Sequence, residues 1–541
     1  MMRMARVVTT SALIASIVGG CQAPRQAGRV AAVTPGAAYS ERHRPQYHFT
    51  PTARWMNDPN GMVFYDGEYH LFYQHHPDGT TWGPMHWGHA VSTDLVRWQH
   101  LPIALHPDTN GLIFSGSAVV DWKNTSGFGV GGKPPLVATF TYHDMAMEKA
   151  GKSDRFQTQG LAYSNDRGRT WTTYAGNPVM PNPGLRDFRD PKVIWHEASQ
   201  MWVMVLAAGD RVRMFTSPNL RTWTQVSEFG SDIAAHGGVW ECPDLFPIRV
   251  EGTTETRWVL LVSINPGGPN GGSATQYFVG DFDGITFTLD PHFATSVGAA
   301  GTEPERGVWL DHGRDNYAGV TWSDVPSSDG RRLFIGWMSN WDYAQVVPTE
   351  TWRSALTLPR ALSLHRTPAG PRVFSTPVQE LRLLRGETVT LTAQRVSGAL
   401  PLRIPTGGSA AVSEVDLEFL AADAPNSNLA LELSNAAGET YRIGYDAASK
   451  RFFSDRTALP RAFSDKFATG VHYAPRIASD SVVRMHVYID RASIELFADG
   501  GATTLTDIVF PSQDFTSMRL VNTGPAARLR YATISSLRSI W

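Results

Sequence analysis

From His43 onward the chain is a succession of short Val, Ile, Tyr, Phe and Trp runs, broken by Gly, Pro, Asn or Asp roughly every ten residues. No long stretch keeps a helical period. The chain therefore reads as all-β. The runs also recur in order. Met62 to Tyr65, the turn Asp66-Gly67 and Tyr69 to Tyr73 have the signature of a hairpin, because a two-residue Asp-Gly loop matches the twist of the strands it joins. Four comparable pairs follow: 118–120 with 137–140, 193–195 with 202–206, 245–250 with 258–262, and 317–322 with 333–337. Between them lie polar turns that close on an aromatic, such as Ser92 to Trp98, Ser164 to Trp171 and Ser217 to Trp223. Unrelated hairpins in sandwiches are the alternative, which the recurring order disfavours. Five units of blade size predict a five-bladed β-propeller over residues 43–366.

A crossing rich in Pro, Thr367-Pro368-Ala369-Gly370-Pro371, opens an expected linker over 367–384. Beyond it, 385–541 carries alternating strands such as Val415 to Phe419, Val483 to Ile489 and Ser493 to Phe497, which suit a β-sandwich. A length of 541 residues accommodates both units. At the other end, Arg3 and Arg6 precede an apolar stretch from Val7 to Val18 that ends at Gly19-Gly20-Cys21. Such a stretch is too short to span a bilayer. It resembles a bacterial lipoprotein signal over 1–21, with Cys21 as the lipidation site; an ordinary signal peptide is the alternative, and either reading implies export. Residues 22–42 are rich in Ala, Pro, Gly and Arg, as in a flexible tether. Gln22 is not an inner-membrane retention signal, so the expected location is an outer membrane or cell surface. Cys242 is the only other cysteine, which leaves stability to packing.

Lys plus Arg number 48 against 50 Asp plus Glu, so a formal net charge of −2 offers no field for capturing nucleic acid. A neutral ligand fits better, and 17 Trp allow sugar faces to be stacked on indoles. The sharpest signals stand where repeated units begin. Asp58 lies in Trp55-Met56-Asn57-Asp58-Pro59-Asn60-Gly61, Asp190 in Arg189-Asp190-Pro191, and Glu241 in Glu241-Cys242-Pro243-Asp244. Any one acid alone is ordinary turn chemistry. Three at the starts of equivalent strands would converge on one mouth of a propeller. Two facing carboxylates are the minimum for glycoside cleavage. The expectation is that Arg189 keeps Asp190 ionised as a hydroxyl ligand, while Glu241, between Trp240 and Cys242, is the better proton donor.

These motifs resemble glycoside hydrolase family 32, the invertases, exo-inulinases and levanases, over residues 43–541. The resemblance implies Asp58 as nucleophile, Glu241 as acid/base and Asp190 as transition-state stabiliser. It also implies Asn57, Gln74, Trp82, Ser115 and Arg189 as the lining of a terminal-fructose pocket. Trp341, in Gly336 to Ala344, is similar to the aromatic wall of exo-inulinases and levanases. Trp352-Arg353-Ser354-Ala355 through Leu358-Pro359-Arg360 resembles the close of the family's propeller, and Glu495-Leu496-Phe497 with Phe510-Pro511 its sandwich. The implied substrate is a fructan or another fructose-containing oligosaccharide. No metal-ligand spacing, phosphate loop or nucleophile elbow stands out among the 17 histidines and the glycines, so no cofactor and no metal are expected. A sucrose-preferring invertase, a fructosyltransferase and a non-catalytic surface glycan-binding lipoprotein remain alternatives. Oligomeric state and β-2,1 against β-2,6 preference stay open.

Overall fold

The computed structural model describes residues 39–420 and 426–541. The signal, Cys21 and most of the expected tether lie outside the described residues. Five sheets follow one another along the chain, each with four antiparallel strands, and the first and fifth carry a short additional strand. Their inner strands are Arg54–Tyr65, Leu112–Val120, Arg189–His196, Val239–Arg249 and Tyr317–Thr321. The first hairpin turns as its sequence demands: Asp66 and Gly67 both have positive φ, 49° and 84°. The recurring polar turns join third and fourth strands. In each, one side-chain oxygen caps the following backbone: Asp94 takes the amides of Val96 and Arg97, Asp166 that of Thr170, and Asn219 those of Arg221 and Thr222. Local sequence thus ends each blade the same way.

The propeller is a ring because its end is tied to its beginning. Trp352–Arg353 pairs parallel with Arg54 and Trp55 of the first inner strand, and Ala355–Leu356 pairs with the second strand of blade five. The expected linker over 367–384 is corrected here. Gly370–Pro377 is the outer strand of blade five, in register with Arg360–Thr367, and a 3-10 turn over Gln379–Leu384 follows. Pro368 and Gly370 mark the turn of a hairpin rather than a domain boundary, and an outer strand tolerates proline because its exposed edge has no partner to lose. The end of the expected tether is also docked: Tyr39 stacks on Trp541 with ring centroids 3.8 Å apart, and Arg42 donates to the Pro511 carbonyl.

The C-terminal region is one sheet of eleven strands folded into two layers. Its last strand, Ser517–Leu537, serves both layers. The first part pairs with Asn428–Ser434 and Gln394–Leu402, and the second with Ser413–Leu420 and Arg385–Leu391. Inward residues such as Val415, Leu417, Phe419, Leu520 and Ile534 form its core.

Candidate active site

All five inner strands carry the same irregularity at the same level. In each, two residues oppose a single residue of the neighbouring strand: Asn57 and Asp58, Phe114 and Ser115, Asp190 and Pro191, Cys242 and Pro243, Ala318 and Gly319. A bulge of this kind kinks a strand and re-aims its side chains. Asp190, Cys242 and Ala318 reach positive φ there, 64°, 46° and 53°, a conformation that strains residues with a Cβ and is concentrated at functional sites. In blade one a second irregularity covers Gly61, where φ is 57° and a Cβ would stand 2.5 Å from the Trp87 ring. The last glycine of the first motif is therefore required by space as well as by conformation.

The expected equivalence of the three acids is refined. Glu241 immediately precedes its bulge, Asp190 is the first bulged residue of its strand, and Asp58 is the second. They reach one level at three successive register positions. Arg189 and Tyr317 occupy in blades three and five the register position that Glu241 occupies in blade four. These two residues hold Glu241. Arg189 donates Nε at 3.1 Å and Nη2 at 2.8 Å to Oε1, and the Tyr317 hydroxyl donates to Oε2.

The other two acids are joined through Cys242. Its backbone N–H donates to Asp190 Oδ2 at 3.0 Å, and its buried thiol lies 3.6 Å from that oxygen and 3.8 Å from Asp58 Oδ2. Asp58 is aimed by two further donors, Asn57 Nδ2 at 3.0 Å and Ser115 Oγ at 2.9 Å, and Trp55 Nε1 fixes the Asn57 amide from behind at 2.7 Å. Behind Asp190, its own N–H donates to Thr141 Oγ1, which donates in turn to Gln159. The Asp58 and Glu241 carboxylates are thus each oriented by groups from two blades, and that of Asp190 by Cys242 of the next blade while Thr141 holds its backbone.

Charge in the cluster is unbalanced. Burial raises Asp58 to about 6, the Asn57 hydrogen bond opposes this, and Glu241 adds to it. Burial also raises Asp190; Arg189 opposes that shift, and the charges of Glu241 and Asp58 reinforce it. The expectation that Arg189 keeps Asp190 ionised is thereby corrected. The guanidinium is 3.9 Å from Asp190 but hydrogen-bonds Glu241 and, at 2.5 Å, Asp187. Adjacency in sequence does not set the pairing, because the bulge turns Arg189 and Asp190 differently.

The remaining expected residues gather around the acids to different degrees. Gln74 faces the first bulge, is buried, and its Nε2 has no partner among the described residues. Trp82 packs edge-on to Phe114, the neighbour of Ser115, with centroids 6.0 Å apart. Trp341 stacks on Trp55 at 5.9 Å and meets Trp337 at 4.9 Å. Sequence reasoning missed Tyr317, Thr141 and the bridging role of Cys242. The signal for Tyr317 was its place at the start of the fifth inner strand, which a search confined to acids passes over.

A propeller whose inner strands bring three acids to one mouth, with donors fixed on each, defines a carboxylate-dependent glycoside hydrolase. Two family models cover nearly all of the described chain: the glycosyl hydrolases family 32 N-terminal domain over residues 48–377 and the family 32 C-terminal domain over 380–537. The chain belongs to glycosyl hydrolase family 32. It is 48% identical to a levanase of Bacillus subtilis over 93% of this chain and 72% of that protein. It is 40% identical to an extracellular exo-inulinase of Aspergillus niger over 93% and 96%. The crystal structure of an exo-inulinase from Aspergillus awamori superposes with a TM-score of 0.84 at 39% identity, covering 93% of this chain and all of the other.

Proposed function

We propose that this protein releases terminal β-D-fructofuranosyl units from fructans with net retention of configuration. The observation that carries the reading is the meeting of Asp58, Asp190 and Glu241, from three blades, at one mouth. The similarity to a levanase and an exo-inulinase supports a fructan as the substrate.

In the first step the Asp58 carboxylate attacks the anomeric carbon, and the bond to the departing oxygen breaks as Glu241 delivers a proton to that oxygen. Asn57 and Ser115 hold the attacking carboxylate in one orientation, which lowers the entropy cost of reaching the reactive geometry. In the second step Glu241 takes a proton from water, which displaces Asp58 from the ester and frees fructose. Asp190, set by the Cys242 amide, accepts hydrogen bonds from hydroxyls of the sugar, and contacts that tighten in the transition state lower the barrier. Gln74 has a spare donor for the same ring. Trp82 and Trp341 supply the walls.

Product analysis on levan, inulin and sucrose tests this. Fructose as the sole early product from a polymer is expected. Release of longer oligosaccharides, or transfer products in place of fructose, would overturn the reading. The N-terminal sequence further supports export and a lipid anchor on Cys21; mass spectrometry of the mature N-terminus should find a diacylglyceryl-modified Cys21, and an unmodified N-terminus elsewhere removes the anchor.

A further inference from the structure

The inner strands run from the acids toward the opposite mouth of the propeller, and there a cavity of about 390 Å³ opens. It belongs to blades two to five and takes no part in the chemistry above. Lys192 stands between the two mouths. Its Nζ donates to the Thr321 carbonyl at 2.6 Å and lies 3.3 Å from Asp244 Oδ1, tying blades three, four and five across the axis.

We propose that this cavity is a second, non-catalytic site for a segment of a fructan chain; the choice of occupant rests on the function proposed above. Trp122, on the rim, is 61% exposed. An indole that merely decorates a surface is free to turn. This one is clamped: Nε1 donates at 2.8 Å to Asp324, whose other oxygen receives the Val120 N–H at 2.9 Å. Trp258 and Trp195 line the same cavity; Trp195 is fixed likewise by its Nε1 bond to Glu197 at 2.6 Å, and Lys123 Nζ stands 4.6 Å over its ring, so Trp122 and Trp258 offer the open faces. Fixed aromatic faces suit the C–H face of a sugar ring and lose little freedom on binding.

Polar capacity is also unspent. Thr321 and Ser323 line the cavity, and neither hydroxyl has a hydrogen-bond partner among the described residues. Buried polar groups ordinarily find a partner, so these two point to a ligand or water that supplies one. Arg332 reaches carbonyls only at 3.4 and 3.5 Å, lies over the Phe246 ring at 4.9 Å, and has no carboxylate at ion-pair distance among the described residues. Lys192 is paired with Asp244, and the other charged residues lining the cavity, Lys123 and Arg332 against Glu197 and Asp324, balance in number, so no net field selects an anion. Flat apolar faces beside unpaired hydroxyl partners, without net charge, describe a neutral polyhydroxylated chain.

The test uses the full chain in an Asp58→Ala background, which cannot degrade the ligand, and follows its migration through gels containing levan or inulin. Retardation is expected with Trp122 present and should weaken about tenfold in Trp122→Ala, equivalent to ~1.4 kcal/mol. Trp122→Phe, which keeps a ring on the rim, should restore most of it. In the active enzyme, Trp122→Ala should raise KM on long fructan and leave kcat, and KM for a fructosyl trisaccharide, unchanged. Thermal unfolding verifies that both variants fold. Retardation indifferent to Trp122→Ala overturns the second site. Failure of the parent enzyme to free fructose from any fructan instead overturns the activity, and the migration readout remains interpretable.

Discussion

At the mouth of the propeller, Asp58, Asp190 and Glu241 meet near a single guanidinium, that of Arg189, which hydrogen-bonds Glu241 and Asp187 and stands 3.9 Å from Asp190. At the junction with the sandwich, the buried Arg360 closes on Asp311 at 2.9 Å, Glu495 at 2.5 Å and Thr506 at 2.7 Å, and His48 bridges Asp490 and Glu495 at 2.8 and 2.9 Å. Both places bury carboxylates, with opposite results. Burial pushes Asp311 and Glu495 up, but Arg360, with Thr506 on one and His48 on the other, outweighs it and holds both below their ordinary values. At the mouth burial wins, and Asp58 and Asp190 are raised. Matched charge joins two units. Unmatched charge leaves carboxylates able to exchange protons and bonds near neutral pH, at a cost in stability.

The largest expected effect comes from deleting the unmatched charge proposed as the nucleophile. Asp58→Ala should lower turnover by about 10⁴-fold or more, equivalent to ~5.5 kcal/mol of barrier, without lowering the melting temperature. Glu241→Ala should keep its first step on fructosides with good leaving groups, and azide should then yield a β-fructosyl azide. NMR of the first-formed sugar reads the configuration. An α-anomer would show inversion and remove Asp58 from the nucleophile's role.

Arg360→Met breaks the comparison from the other side. It leaves Asp311 buried without its cation and Glu495 with His48 alone, and a loss of about 3–5 kcal/mol in denaturant unfolding is expected. Turnover per folded molecule should be retained. A loss below about 1 kcal/mol would place this junction with exposed pairs that contribute little.

Asp190→Asn should fall between these two, with turnover down about 10²–10³-fold, as when one preorganised transition-state contact is lost, and folding intact. Near-normal turnover in the folded variant would make this carboxylate structural.

The smallest effects are in pH dependence, where the carboxyls of the two regions should differ in sign. A carboxyl whose folded pKa is raised adds stability that is complete below its unfolded value and is lost as pH rises through the folded value. For Asp58 the window runs from roughly 4 to 6. Asp58→Asn should therefore raise the melting temperature more at pH 8 than at pH 4. Glu495, held low, adds stability above its unfolded value that is lost as pH falls below it. His48, raised to about 9 by Asp490 and Glu495 against its burial, adds stability that is complete below roughly 6.5 and is lost as pH rises through 9. Melting curves of wild type and Asp58→Asn across pH 4–9 check the sign for Asp58. Identical shifts at pH 4 and pH 8 would mean that Asp58 is not strained by its burial.

How much of this was legible depended on the range of the interaction. Asp66-Gly67 announced its own hairpin, because two successive residues at positive φ are a local demand. The repeated Ser-x-Asp and Ser-x-Asn turns announced blade ends for the same reason, since their side chains bond backbone two to four residues away. The crossing at Pro368 was misread because a turn inside a blade and a turn between units share one local chemistry. Only pairing with Arg360–Thr367 separates them. Leu358-Pro359-Arg360 and Glu495-Leu496-Phe497 were both legible as motifs, yet nothing in either shows that Arg360 and Glu495 meet across 135 residues.

The sequence by itself determined an all-β propeller and sandwich and the identity of the three acids, since alternation, turn residues and the order of the motifs are properties of neighbours along the chain. Tertiary structure alone decided the partners: that Arg189 holds Glu241 rather than its neighbour Asp190, that Tyr317 joins it, and that Cys242 bridges the other two acids. The reason is geometric. Five bulges at one level turn successive residues in different directions, and a charge acts on whatever the ring of blades brings within a few ångströms, however far away along the chain.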